Sequence, residues 1–355
     1  MLERIVPHAE SSARRELDRL VRGEDLSEEQ AAELLLALTE PSMPAAVAGA
    51  LLVALRVKGE TPEEIRGFAS AMRRLARRPE IDGTNGAVDV VGTGGDGSGS
   101  LNLSTGSALL TAACGQPVVK HGNRSVSSRS GSADVLEALG LDLPLDERSA
   151  GRCLSRTGFT FLFAPYFHPA MKSLASLRRE LGVRTVFNVL GPLTNPAQPP
   201  YGVIGAYDVG TAARMAQGFS GLPVERVFVV HGSPGWDEAT PVGPFLLFDV
   251  RPGRVVRVER DPAACGLARC RPEELAGGDA AENARRLRAA FEGETGAHRD
   301  ALVLGAALAL EVTGSAPSPG AAVARAAEAI DGGAALRLVE RLADFSRSLR
   351  GGADG

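Results

Sequence analysis

The sequence predicts an α/β protein, with a small helical N-terminal domain followed by a larger domain built on a mainly parallel sheet. Residues 1–80 have helical character and contain no strand-like run. From residue 87 onward, short apolar runs that stop at glycines or polar loops alternate with helical stretches. Such alternation is typical of a parallel sheet that helices cover on both faces.

Two helix starts are marked in the N-terminal part. Ser27 precedes Gln30 by three residues, which is the spacing of a capping box. A second start combines Thr61 as the N-cap, Pro62 at the first helical position and Glu64 at the third. We therefore expect helices to begin directly after residues 27 and 61.

The rest of the chain divides the α/β domain into strands and helices. Strands are predicted at 87–91, 116–119, 201–207 and 227–230, and helices at 104–114, 131–139 and 211–220. Residues 146–190 are predicted to be helical again, and the alanine-rich region from 280 to about 350 is helical with breaks at 314–320. The predicted domains are 1–84, with helices from about 146–195 packing back onto it, and 85–145 together with 196–350.

Composition excludes several function classes. The formal net charge is -4, so the arginine-rich run at 73–78 indicates a solvated helix face rather than nucleic-acid binding. No signal-peptide core and no stretch of eighteen apolar residues is present, so we expect no membrane span and a cytoplasmic protein. Cys265 and Cys270 lack a second pair that would complete a zinc site, which favours reduced thiols.

A glycine-rich loop, GTGGDG at 92–97, follows the first predicted strand. Glycines let backbone N–H groups approach a ligand closely, and such a loop can hold phosphate oxygens. Asn102, Ser104 and Thr105 open the next helix, whose N-terminus attracts anions. By itself this pattern equally fits a turn with a Ser/Thr cap, and it matches neither the Walker nor the dinucleotide spacing.

A second polar segment, KHGNRSVSSRSGSAD at 120–134, lies between a predicted strand and a predicted helix. Its lysine and arginines supply positive charge, while its serines and asparagine supply neutral hydrogen-bond donors. The segment is poor core material, and it indicates either a phosphate-binding loop or a solvated one.

Taken with NLST at 102–105 and VRTVFNVLGPLTNP at 183–196, these segments resemble the anthranilate phosphoribosyltransferases of tryptophan biosynthesis. The resemblance covers about residues 25–345. It implies a fold of the nucleoside phosphorylase/phosphoribosyltransferase type, a homodimer, and transfer of a phosphoribosyl group from phosphoribosyl pyrophosphate to anthranilate. It implies no nucleic-acid or membrane partner and no side chain acting as a general acid or base.

The resemblance also implies which residues bind the donor, phosphoribosyl pyrophosphate. They belong to the glycine loop, the helix start and the second polar segment. These positions are Gly92, Gly95, Asp96, Ser100, Asn102, Leu103, Ser104, Thr105, Lys120, His121, Gly122, Asn123, Arg124, Ser125, Val126, Ser127, Ser128 and Ser132.

For the acceptor, the resemblance points to Gly92, Asn123 and Arg178. On sequence alone Arg178 would be a surface charge of an amphipathic helix, but it matches the family's ligand for the anthranilate carboxylate, which a guanidinium can grip with two hydrogen bonds. His168 is interpreted as shaping the acceptor entrance or as structural.

The cofactor implied by the resemblance is Mg²⁺, with Ser104, Asp237 and Glu238 as its ligands. Adjacent carboxylates after the strand predicted at 227–230 suit this hard cation, which prefers oxygen ligands.

Three alternatives remain to be compared with this resemblance. The KHGNRSVSS run and Arg178 count against a nucleoside phosphorylase of the same fold, and the acidic balance and the Asp237–Glu238 pair count against a non-catalytic nucleic-acid-binding paralogue. An enzyme that uses the same donor with another aromatic acceptor stays open. The chain departs from the family pattern at Ser100, where threonine is usual, at 239–244, where I-S-L-T-G-P is usual, and at Gly305 within the family's L-L-N-A. These departures bear on the acceptor more than on the donor.

Overall fold

The protein is described by a computed structural model that covers residues 8–81, 84, 86–125 and 129–351, with side chains from residue 12. Its centre is a seven-stranded sheet with the order β3-β2-β1-β4-β5-β6-β7. The first five strands in that order are parallel, and β6 and β7 join them antiparallel. The strands are β1 Val88–Gly92, β2 Val118–Gly122, β3 Phe159–Phe163, β4 Tyr201–Gly205, β5 Arg226–Gly232, β6 Phe245–Arg251 and β7 Arg254–Arg260.

Helices precede the sheet, cover its faces and complete the chain. They are α1 His8–Val21, α2 Glu28–Thr39, α3 Ala45–Lys58, α4 Pro62–Leu75, α5 Leu103–Ala113, α6 Ser132–Ala138, α7 Glu147–Thr157, α8 Ala164–Phe167, α9 Lys172–Leu181, α10 Phe187–Leu190, α11 Val209–Ser220, α12 Ala280–Phe291, α13 Ala297–Val312, α14 Pro319–Asp331 and α15 Ala334–Gly351. Short 3₁₀ helices lie at Pro169–Met171, Gly191–Thr194, Pro262–Cys265 and Pro272–Leu275. In the part of the chain that the structure describes, no helix has the length and apolar character needed to cross a membrane.

Both predicted capping boxes are confirmed. The Ser27 hydroxyl accepts the N–H of Gln30, and the Gln30 side chain accepts the N–H of Ser27. Thr61 and Glu64 make the same reciprocal pair at the start of α4. Each box satisfies two backbone N–H groups that a helix start leaves without partners.

The predicted strands at 87–91, 116–119, 201–207 and 227–230 are confirmed as β1, β2, β4 and β5, but three strands were missed. β3 lies inside the region that was predicted to be helical from 146 to 190, and β6 and β7 form a hairpin at the far edge of the sheet. β3 is a buried apolar run of only five residues, and periodicity alone does not separate such a run from a helix.

The position of α7 also differs from the prediction. This helix packs on β3 and α15, at the β3 end of the sheet, whereas α9 and α10 contact the N-terminal helices. The helices after β3 thus contact the N-terminal helices, whereas α7 meets the end of the predicted N-terminal domain, where the carbonyl of Glu147 accepts the N–H of Glu80 over 2.9 Å. The physical reason is Gly158, which ends α7 in the left-handed conformation and turns the chain directly into the sheet.

Alternate side chains of the central strands pack into two hydrophobic cores, one on each face of the sheet. On β5, Phe228 and Val230 pack with α5 and α13, while Val227 and Val229 pack with α11 and the N-terminal helices. This two-sided burial explains why the parallel strands are apolar at nearly every position. It also leaves the carboxyl ends of the strands as the open edge where a polar site can form.

The contact between α2 and α4 generates a stability prediction. A Cβ at Gly67 would overlap the carbonyl oxygen of Glu28 and lie 2.8 Å from the Cβ of Ala31. Gly67→Ala should therefore destabilise the protein by about 1–3 kcal/mol, the usual cost of overpacking. Gly320→Ala is the matched control, because nothing lies within 4 Å of its Cβ in helix α14. Urea denaturation should show a lower midpoint for Gly67→Ala only, and equal midpoints for the two variants would contradict this packing.

Candidate active site

The polar residues of the site gather at the carboxyl ends of β1, β2 and β5. β1 ends at Gly92, which pairs with Gly205 of β4. A Cβ at Gly92 would overlap the Asp237 carboxylate, and a Cβ at Gly205 would overlap the Asp237 backbone. Two adjacent strands therefore need glycine at this level so that Asp237 can lie directly against them.

The glycine loop after β1 is shaped by left-handed glycines and tied to the same carboxylate. Gly94 and Gly95 have φ values of 69° and 75°, which favour glycine. The N–H of Gly94 donates to Asp237 Oδ2 over 2.6 Å. Asp96 accepts the N–H of Ser98 over 3.0 Å and the N–H of Asp237 over 3.3 Å. The loop predicted to bind phosphate is thus held against the predicted metal pair.

Asp237 is buried, and the half-buried Glu238 and Asp96 lie beside it. Burial, reinforced by the Asp96 charge, raises the pKa of Asp237 to about 7. Burial and then the charges of Asp237 and Asp96 raise the pKa of Glu238 well above its usual value. Such a cluster of carboxylates is costly without a compensating cation.

Lys120 supplies part of that compensation from β2. Its side chain is fully buried, and its Nζ donates to the Val90 carbonyl and to Ser104 Oγ over 3.3 Å. Burial lowers the pKa of Lys120 to about 8, while the nearby carboxylates favour its charged form. A single lysine leaves an excess of negative charge in the pocket.

The start of α5 faces the carboxylates from the other side. The N–H of Ser104 donates to Glu238 Oε1 over 2.8 Å, and the Ser100 hydroxyl donates to Glu238 Oε2 over 3.5 Å. Asn102 donates to the Ser130 carbonyl over 3.1 Å and so joins the helix start to the second polar segment. The structure therefore brings Ser100, Ser104 and Glu238 together.

The side chains of Leu103 and Thr105 are buried, Leu103 in the hydrophobic core. A donor at the start of α5 would therefore meet their backbone groups, and their assignment as donor-binding residues stays a prediction. Only their backbone groups face the same end of the helix as Ser104.

The ring of His121 does not face Lys120. Its ring lies on the face of β2 opposite to Lys120, where Nδ1 is 3.1 Å from the Gly191 carbonyl and the ring contacts His168 at 5.1 Å between centroids. Its backbone N–H donates to Asp89 over 3.3 Å. Burial lowers the pKa of His121 to about 3, so the ring is neutral at physiological pH. Neighbouring residues on a strand point to opposite faces, so the side chains of Lys120 and His121 lie on opposite faces of β2, and the donor role of His121 stays a prediction.

The loop after β2 is held by Asp134 of α6. Asp134 accepts the N–H groups of Ser125 and Gly131 over 3.2 and 2.8 Å and pairs with Arg124 over 3.0 Å. Ser132 starts α6, and its Cβ would lie 3.4 Å from a Cβ at Gly122. Arg124 is thus directed toward α6, while the predicted residues Val126, Ser127 and Ser128 lie outside the described residues.

The predicted acceptor residues lie on two elements. Asn123 is exposed beyond β2, with its side-chain oxygen accepting the N–H of Arg124 over 2.7 Å. Arg178 is exposed on α9, with its guanidinium 5.1 Å from the centre of the Phe187 ring. His168 is buried against His121 and burial lowers its pKa to about 4, which fits a structural role rather than an entrance role.

Two contributors to the site went unpredicted. Asn195 donates to the buried Asp89 over 2.8 Å and to the Val119 carbonyl over 2.9 Å, which braces β1 against β2 below Lys120. Arg184 donates to the carbonyl of Gly95 in the glycine loop and stacks on Tyr207 at 4.0 Å. Neither pairing carries a local sequence signal, since the partners are distant along the chain.

The residues present fit a magnesium ion. No group of three or more His, Cys, Asp or Glu side chains positioned to hold a metal occurs in the described ranges. Mg²⁺ does not require one, because it is commonly held by one or two carboxylates together with water and substrate phosphates. The buried Asp237 and the half-buried Glu238 repel each other and form such a pair beside a loop suited to phosphate.

Two family models match the chain. The model described as glycosyl transferase family, helical bundle domain, matches residues 15–76. The model described as glycosyl transferase family, a/b domain, matches residues 84–336. Together they span both the N-terminal helices and the sheet with its site.

Relatives and solved structures agree with these models. The anthranilate phosphoribosyltransferase of Desulforudis audaxviator is 46% identical over 334 residues, which cover 94% of this chain and 96% of the relative. The crystal structure of the Thermus thermophilus enzyme has a TM-score of 0.87 at 44% identity, covering 93% of this chain and 99% of that one. The Saccharomyces cerevisiae enzyme in complex with PRPP and Mg also gives a TM-score of 0.87, at 26% identity, covering 96% and 99%.

The buried carboxylates generate a prediction on pH and stability. Because the folded state raises the pKa of Asp237 from 3.8 to about 7, the folded protein binds this proton more tightly than the unfolded chain. The stabilisation is therefore present below about pH 4 and is lost as the pH rises to 7. Asp237→Asn is neutral at every pH, so its thermal midpoint in EDTA should exceed that of the wild type by several degrees at pH 8 and by little at pH 5. A lower midpoint at pH 8 would show that the carboxylate stabilises the fold.

Proposed function

This chain belongs to the anthranilate phosphoribosyltransferase family, and we propose that it transfers the phosphoribosyl group of phosphoribosyl pyrophosphate to anthranilate in tryptophan biosynthesis. The products are N-(5′-phosphoribosyl)anthranilate and pyrophosphate. The observation that carries the proposal is the glycine loop held against the Asp237–Glu238 pair, with the N–H of Gly94 donating a hydrogen bond to Asp237 over 2.6 Å. This arrangement places phosphate-binding N–H groups and a cation site side by side.

For the donor, the glycine loop and the N-terminus of α5 offer backbone N–H groups to the pyrophosphate. Lys120 adds a buried positive charge between them. Ser104, Asp237 and Glu238 would hold Mg²⁺, which supplies positive charge that stabilises the leaving pyrophosphate. The donor positions predicted at 126–128 extend this set but are not needed for it.

The reaction then needs little covalent chemistry from the protein. The bond between C1 of the ribose and the pyrophosphate oxygen breaks, and the electron pair leaves with the pyrophosphate. The amine of anthranilate forms a bond to C1, and the nitrogen then loses a proton. The fixed N–H groups and Lys120 stabilise charge that develops on the leaving group, and the remaining work is positioning. We assign no side chain as a general base.

For the acceptor, we assign the carboxylate of anthranilate to Arg178, with Asn123 and the backbone of Gly92 beside the amine. Arg178 is exposed on α9 with its guanidinium near the Phe187 ring, so the group is accessible to a carboxylate. The Saccharomyces cerevisiae enzyme has been solved with 4-fluoroanthranilate, at a TM-score of 0.85. That acceptor analogue supports an aromatic amine with a carboxylate as the second substrate.

A fluorescence assay of anthranilate consumption tests the function. Consumption should require both phosphoribosyl pyrophosphate and Mg²⁺, and pyrophosphate should appear in equal amount. Donor binding without anthranilate consumption would favour another aromatic acceptor, and nucleoside cleavage by inorganic phosphate would favour a phosphorylase. The homodimer and the cytoplasmic location stay predictions.

Arg178→Ala tests the acceptor assignment. Loss of a charge-assisted contact worth about 1.5–3 kcal/mol should raise the KM for anthranilate by roughly tenfold to a hundredfold. The affinity for the donor should change little, because Arg178 lies on α9 and outside the phosphate-binding loops. Arg179→Ala, which removes an exposed arginine from the next position of α9, is the matched control.

Aniline separates recognition from structure in the same experiment. It lacks the carboxylate, so it should be a poor acceptor for the wild type and lose little further in Arg178→Ala. Equal losses for anthranilate and aniline would mean that Arg178 supports α9 rather than binding the substrate.

A further inference from the structure

Arg184 connects the glycine loop to a part of the chain that is far away in sequence. Its Nη2 donates to the carbonyl of Gly95, and the same guanidinium stacks on the Tyr207 ring at 4.0 Å. The planar face of the guanidinium therefore contacts the Tyr207 ring, while its edge donates a hydrogen bond to the glycine loop. This is a geometry that arginine allows and lysine does not.

The backbone that carries Arg184 is firmly anchored. Gly182 ends α9 in the left-handed conformation, and Thr185, Val186 and Phe187 immediately after Arg184 are buried. Thr185 is further fixed by its N–H, which donates to the Asn188 side chain over 2.9 Å. Arg184 thus projects from a rigid segment toward a loop that has little packing of its own.

The glycine loop needs such support. Gly94, Gly95, Gly97 and Gly99 all have positive φ values, and glycines give the unbound loop many alternative conformations. On its inner side the loop is tied to the carboxylates through Gly94. Gly95 is exposed at the outer side of the loop, where Arg184 contacts it.

We propose that Arg184 is a positioning residue that holds the glycine loop in the conformation that binds the phosphoribosyl donor. The proposal rests on the proposed function. By engaging a carbonyl, Arg184 turns the peptide so that the neighbouring N–H groups stay directed toward the donor phosphates. When this contact is removed, a smaller fraction of the unbound protein has the loop in its binding conformation. The apparent affinity for the donor falls in proportion to that fraction.

The experiment compares variants at this position by calorimetric titration with phosphoribosyl pyrophosphate and Mg²⁺, without acceptor. Arg184→Ala should weaken donor binding about tenfold, the loss expected from one charge-assisted hydrogen bond. Arg184→Gln retains a donor for the Gly95 carbonyl but loses the charge, so it should recover part of the affinity. Arg179→Ala, which removes a nearby exposed arginine, should bind the donor like the wild type.

A second readout separates loop positioning from direct attraction of the phosphates. If Arg184 acts through the loop, the ratio of donor affinities between wild type and Arg184→Ala should stay constant from low to high ionic strength. If it acts as a charge on the donor, the ratio should shrink with salt, and Arg184→Gln should bind as weakly as Arg184→Ala. That second pattern overturns the proposal, as does unchanged donor affinity in Arg184→Ala.

Kinetics and folding complete the test. The KM for the donor should rise in Arg184→Ala while the KM for anthranilate and the thermal midpoint stay close to the wild type. Should Arg184→Ala fail to fold, Arg184→Gln decides by the same titration. If the wild type binds the donor more tightly than Arg184→Ala but consumes no anthranilate, the proposed acceptor is refuted and the positioning role of Arg184 stands.

Discussion

The close approach of Asp237 to the ends of β1 and β4 is the constraint on which the site depends. Gly92 and Gly205 face each other in the sheet, and any side chain at either position would occupy the volume of Asp237. Because Asp237 lies there, the N–H of Gly94 can donate a hydrogen bond to it, and Glu238 can accept the N–H of Ser104 at the start of α5. The donor loop, the metal pair and the first helix of the α/β domain are thus assembled around one residue.

This assembly trades stability for function. Asp237 and Lys120 are buried beside two half-buried carboxylates, and the pKa values of Asp237 and Glu238 are raised because their charged forms are disfavoured there. A fold selected for stability alone would place neutral groups at these positions. In the function proposed here, a bound cation would relieve this repulsion, and the N–H groups and Lys120 would bind the pyrophosphate.

The sequence predicted what is encoded locally or along a strand and missed what depends on distant contacts. Each of the capping boxes at Ser27 and Thr61 spans only four consecutive residues, so the sequence predicts both. The opposite orientations of Lys120 and His121 follow from strand alternation and could have been predicted, although the family pattern suggested one role for both. The contact of Arg184 with Gly95 was not predictable, because it depends on how the segment after α9 folds over the end of β1. The roles of the donor, acceptor and metal residues, and the domain limits, stay predictions.

Two of the departures from the family pattern, at Ala239–Thr240 and at Gly305, lie behind the carboxylates, whereas Ser100 contacts Glu238 in the site itself. Ala239 and Thr240 are buried, and Gly305 lines a small cavity of about 30 Å³ below Asp237 and Glu238. A Cβ at Gly305 would overlap the Ser107 hydroxyl and lie 2.7 Å from its Cβ, so Ser107 fills the space that the family's asparagine would need. Gly305 therefore changes the packing behind the carboxylates, whereas Arg178, which we propose for the acceptor carboxylate, lies exposed on α9.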